Sequence, residues 1–179
     1  MTNYFWHLLA ICMLILAPYA QAASPEEIDI KVDATIKVFN QKVNGGEEFL
    51  SNAKGILVFP SVIKAGFIFG GEYGEGALRI KGKTVDYYRT TGASFGFQFG
   101  AQSKSIIIAF LDDDALLKFR QSSGWEAGVD GSIAIAATGA GGSIDTTNMS
   151  SPIVGFVFGN KGLMVDLSLK GSKYTRMNK

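Results

Sequence analysis

Few side chains in this sequence suit covalent or metal chemistry, and their placement limits what the chain can do. Its 179 residues hold one cysteine, Cys12, and one histidine, His7. Both belong to the apolar run HLLAICMLILAPYA, His7 to Ala20, which breaks at Pro18 and meets the small-x-small pattern Ala20-Gln21-Ala22. This is the pattern of an export signal. Residues 1–23 are therefore expected to be a signal peptide, cut after Ala22 or Ala23. The run is short of the ~20 apolar residues that span a bilayer, and bulky Ile11 precedes Cys12 where a lipobox has a small residue. A retained anchor and lipidation at Cys12 are the rival readings. Once cut, the chain has neither thiol nor imidazole, which removes Ser-His-Asp and Cys-His catalysis and the usual zinc sites. An enzyme would have to work with carboxylates, Lys and Tyr.

The carboxylates offer two candidates. Glu72 and Glu75 are close enough in sequence for an acid/base pair and would carry a hydrolase reading. Their strand-to-turn position favours solvated surface instead. Asp112-Asp113-Asp114 has the charge for Ca²⁺ but lacks the other oxygens of a full loop, and a helix N-cap explains it better. GEYGEG and TGAGGS match no phosphate-binding fingerprint and read as turns. No metal or cofactor is expected. The formal net charge of +1, from 17 basic and 16 acidic residues, leaves no nucleic-acid footprint.

A different pattern stands out in TGASFGFQFGAQ, Thr91 to Gln102. Phe95, Phe97 and Phe99 alternate with period two, which sends them to one face of a strand. The other face carries Ser94, Gly96, Gln98 and Gly100. Phe67-Ile68-Phe69-Gly70 and Phe156-Val157-Phe158-Gly159 are shorter forms of the same pattern. Glycine weakens a strand, so a glycine-bearing face has a cause. The sheet bends there, another element presses on the bare backbone, or a ligand lies on it. The third cause would make a slot for an apolar chain, with Phe67, Phe69, Gly70, Phe97 and Gly100 among its walls and Gly66, Gly155 and Gly159 as further lining.

Elements that position these residues follow from composition and periodicity. Hydrophobic residues make up 47% of the chain and glycines number 22, which fits one β-rich domain over residues 24–179. Ser24-Pro25 and Glu27 read as a helix start, and Asn44-Gly45-Gly46 as its stop. Ile28, Val32, Ile36, Phe39 and Val43 share one face of that helix. Lys31 and Lys42 border it, while Lys37 sits opposite. The face either packs on the domain or enters a membrane interface. A short helix is expected over 47–55 and another over 112–121. Strands are expected at ILVFP, stopped by Pro60, and as two pieces around the glycines of GFIFGGEYGEGALR. TVDYYRTT follows a turn at Gly82-Lys83, and SIIIAFL follows a turn at Gln102-Ser103-Lys104. The remainder is β-like. The expected fold is α+β: antiparallel strands in a barrel-like or strongly curved sheet, with an amphipathic N-terminal helix.

The stretch KGILVFPSVIKAGFIFGGEYGEGALR, Lys54 to Arg79, resembles the SYLF lipid-binding domain family. The likeness continues through Ala93–Phe119, Gly124–Thr147 and Pro152–Asn178, nearly the whole processed chain. Eukaryotic members of that family bind phosphoinositides and some bind actin, whereas bacterial members are exported or lipoprotein-like. The family's lipid binding is attributed to basic residues and an amphipathic N-terminal helix. The nearest positions here are Lys31, Lys37 and Lys42 on the helix, with Lys54 and Lys64 beside the first strands. This helix is acid-rich, with Glu26, Glu27, Asp29 and Asp33, and the lipobox is absent. The resemblance therefore implies acidic bacterial phospholipid rather than phosphoinositide or actin. The expectation is a non-catalytic lipid- or membrane-surface-binding protein, periplasmic or secreted and peripheral to an envelope membrane. The alternative is an envelope structural module that docks a protein partner.

Overall fold

A computed structural model describes residues 22–66, 69–95, 102–136, 151–159, 162–163 and 169–179. Nearly all of the expected signal segment, with His7 and Cys12, lies outside the described residues, as do Phe67, Phe97, Phe99 and Gly100.

Helix α1, Pro25–Lys42, begins where its local sequence dictates. The Ser24 hydroxyl accepts the Glu27 backbone N–H at 3.1 Å, which satisfies one of the donors a helix start leaves open. Ile28, Val32 and Phe39 are buried along its inner face, followed by Val43 just past its end. Helix α2, Gly46–Asn52, follows at once. Helix α3, Asp113–Gln121, is capped by Asp112, whose carboxylate accepts the Ala115 N–H at 2.9 Å.

The strands are β1 Gly55–Gly66, β2 Phe69–Ile80, β3 Lys83–Phe95, β4 Gln102–Phe110, β5 Trp125–Glu126, β6 Ala134–Ile135, β7 Ile153–Gly159, β8 Gly162–Leu163 and β9 Lys173–Met177. They form one sheet in the order β5-β9-β3-β2-β1-β4-β7-β6, with β8 beside β7. Every pairing is antiparallel except β6 with β7. The sheet curls into a half-barrel, as the α+β expectation required.

Alternation divides the core between the two faces. On one face Val58, Ala77, Ile107 and Phe156 meet α1 and α2. On the other, Leu57, Leu78, Ile108 and Tyr88 meet Leu116 and Phe119 of α3, with Trp125 and Tyr174. The apolar face of α1 is thus spent on the sheet. Phe156 packs edge-on to Phe39 at 4.8 Å between ring centroids and to Phe49 at 5.2 Å. The ring-bearing side of the Phe-x-Phe-Gly pattern is, in β7, the floor under the helices.

Several expected boundaries move. Pro60 does not stop β1. The register passes from Val58↔Ala77 to Ser61↔Glu75, so one extra residue is accommodated as a bulge at Phe59-Pro60. A bulge tolerates proline because the ladder needs no N–H there. The freed Pro60 carbonyl accepts the Ser105 hydroxyl at 2.8 Å. Strand β2 also runs unbroken through Gly70, Gly71, Gly74 and Gly76. The bulge explains two of these glycines, because a Cβ on Gly76 would lie 2.1 Å from the Val58 carbonyl and one on Gly74 2.8 Å from the Ser61 carbonyl. The β2–β3 turn is Lys81-Gly82, one residue earlier than expected, with φ of 50° and 76°. That suits a two-residue hairpin turn needing two positive φ values. Gln102, Ser103 and Lys104 are strand residues of β4 rather than a turn.

Candidate functional site

The crossing of α1 over the sheet leaves a groove along one helix edge. At helical spacing, Lys31, Ala34, Val38 and Lys42 fall on a single narrow arc beside the buried face. Ala34, Thr35, Val38 and Lys42 form one wall of the groove, and Pro60, Ser103, Ser105, Phe158 and Gly159 form its floor and far wall, enclosing about 350 Å³. The floor is built by the bulge. Ser105 is held on the Pro60 carbonyl, and beside it the Ser61 and Ser103 hydroxyls share a hydrogen bond of 2.8 Å. Lys42 reaches over the rim toward the Gly159 carbonyl at 3.5 Å. Lys31 pairs with Glu27 at 2.6 Å on the outer surface. That contact holds the Glu27 carboxyl below its ordinary range.

Beyond the floor the sheet is open. Ile63 lies opposite Ser103 on one side and Tyr73 on the other. Both Ile63 and Tyr73 are 50% exposed. The result is a hydroxyl-lined groove with a lysine rim that gives onto an apolar shelf. Such a surface can hold an anionic or hydroxylated head in the groove and apolar chain on the shelf.

The sequence-derived candidates are only partly brought together. Lys42 lines the groove, and Lys31 lies on the same arc of α1 outside its lining, paired with Glu27. Lys37 is on the other side of α1, over a hollow shared with Asp33, Asn40 and Glu47. Lys54 is at the opposite end of β1, 3.7 Å from Asp113. Lys64 lies near the end of β1, opposite Glu72 and Gln102. Phe69 and Gly70 open β2, where they pair with Phe95 and Ser94. Phe67, Phe97 and Gly100 lie outside the described residues.

Of the proposed glycine lining, Gly155 is covered by the protein itself. A Cβ there would meet Ile133 at 2.7 Å and Leu169 at 3.1 Å. In β7, then, the glycine face exists so that neighbouring side chains can approach.

Glu72 and Glu75 are neither a pair nor solvated surface. Three residues apart on a continuous strand, they point to opposite faces. Glu72 is held by Lys104 at 2.8 Å, with side chains 14% and 10% exposed. Glu75 is held by Lys179 at 3.0 Å, with side chains 11% and 12% exposed. Among the described residues no cluster of three or more His, Cys, Asp or Glu is arranged to hold a metal ion. Sequence reasoning missed Ser103 and Ser105 because they were read as a turn and an ordinary strand position. The Pro60 bulge that orients them is a relation between three strands.

A family model described as Ysc84, Las17-binding protein actin regulator, matches residues 91–179. No curated protein matches the chain. The matched segment runs from the second half of β3 to the C-terminal strand, and so supplies the groove's far wall together with α3 and β9. Over residues 91–179 the chain belongs to the Ysc84, or SYLF, family, consistent with the resemblance carried in its sequence.

Proposed function

We propose that this chain is a non-catalytic binder of acidic phospholipid at a membrane surface of a bacterial cell envelope, acting after export. The observation that carries the reading is the groove beside α1, with hydroxyls on its floor, Lys42 on its wall, Lys31 farther along the same helix arc, and the exposed Ile63–Tyr73 shelf beyond it. The Lys42 ammonium, and the one hydroxyl proton that the Ser61–Ser103 pair does not use internally, donate to phosphate oxygens, and the charged donor makes the stronger bond. Apolar area covered on the shelf adds ~25 cal/mol per Å². The contact is this groove edge and not the apolar face of α1, which is buried on the sheet.

Vesicle flotation tests it. The protein is expected to float with phosphatidylglycerol vesicles, less with phosphatidylcholine, and less at high salt, since exposed charges are screened. Absence of flotation with either vesicle would defeat the reading.

The family description names protein binding and actin regulation, which favours docking of a protein partner as the second reading. It would use the same exposed shelf. Partner capture that persists after lipid extraction, without flotation, would favour it.

A further inference from the structure

Residues remote in sequence hold the start of the folded domain. Ala23 packs against the core beneath α1. Its carbonyl accepts the Lys179 ammonium, which also pairs with Glu75 at 3.0 Å, and the Ala23 backbone lies near enough to the Glu75 carboxylate to help lower its pKa. Glu75 also accepts the Tyr73 hydroxyl at 2.8 Å. Ala23 is thus built into the fold, one residue before the α1 cap.

We propose that the chain is cut between Ala22 and Ala23, and that Glu75 binds the α-ammonium so formed. This inference rests on the export reading of the N-terminal segment and is independent of the lipid reading. A signal endopeptidase adds water across the Ala22–Ala23 amide. Ala22 leaves as the carboxylate, and the Ala23 nitrogen keeps its one proton and gains two more, beside Glu75. A neutral donor becomes a charged one at the same place, and such bonds are roughly twice as strong. Cutting one residue later would discard the carbonyl that Lys179 holds. The new terminus would share Glu75 with two cations, which oppose its charge, so Glu75 is the group that holds it protonated. Lys179 and Arg89 on β3 face Glu75, Glu27 on α1 adds a second carboxylate nearby, and Lys31 neutralises Glu27.

The test uses the full chain produced in an exporting bacterium. The intact mass of the exported protein should equal residues 23–179. A mass for 24–179, or for the uncut chain, overturns the assignment of the bond. In the processed protein, Glu75→Gln should raise the labelling rate of the Ala23 amine near neutral pH by about threefold or more, as its pKa falls back toward the ordinary ~7.7–8.0. The distant Glu47→Gln should leave it unchanged. Equal rates in wild type and Glu75→Gln overturn the role of Glu75, whatever the mass.

Discussion

Gly76 lies against the Val58 carbonyl so closely that a Cβ would come within 2.1 Å of it. The contact is with backbone, at the bulge, and no side chain can rotate away to relieve it. Gly76→Ala is expected to destabilise by about 2 kcal/mol or more. Gly71 on the same strand is the control. Its nearest neighbour would be the Gly92 carbonyl at 3.9 Å. Gly71→Ala should therefore stay within about 0.5 kcal/mol of wild type. Urea unfolding of both variants checks the pair. Equal losses would mean that the bulge does not impose the glycine.

Lys104 and Glu72 form a largely covered ion pair on the face opposite α1. Removing one member leaves the other charge with little water to replace it. Lys104→Met alone is expected to cost about 2–4 kcal/mol. Replacing both, with Glu72→Leu added, should recover at least half of that loss. A double variant as unstable as the single one would contradict this account of the pair.

Glu75 gives the fold a pH dependence. Burial raises its pKa, but hydrogen bonds from Lys179 and Tyr73, the Lys179 charge and the Ala23 backbone together outweigh burial and hold the carboxyl below its ordinary 4.5. A folded-state pKa lowered in this way contributes stability that is complete above the ordinary value and is lost as pH falls through the folded one. Between about pH 5 and about pH 3 the Tm of wild type should drop more steeply than that of Glu75→Gln. Parallel slopes would show that the carboxylate is not held as described.

What the sequence disclosed was local. Ser24, Pro25 and the spacing of Ile28, Val32 and Phe39 mark α1, and Asp112 marks α3, because capping and helical periodicity act within a few residues. Phe156 and Phe158 announced a ring-bearing strand face by alternation alone. The bulge at Pro60 was illegible, since a proline within a strand makes sense only beside the strands that flank it. Reading β2 as two pieces hid the opposite facing of Glu72 and Glu75. It also concealed that each has its own lysine, one 32 residues away and one 104. The groove belongs to the same class. Val38, Ser103 and Phe158 come from three elements, and no spacing along the chain connects them.

Charge reversal at the groove, read by flotation with phosphatidylglycerol vesicles, tests the central claim most directly. Lys31→Glu with Lys42→Glu should abolish flotation. Lys37→Glu with Lys54→Glu, on the far side of α1 and at the other end of β1, makes the same change in net charge and should retain most of it. Loss of binding in both variants to the same degree would reduce the interaction to overall charge. Full binding by the Lys31/Lys42 variant would rule out the groove as the lipid contact.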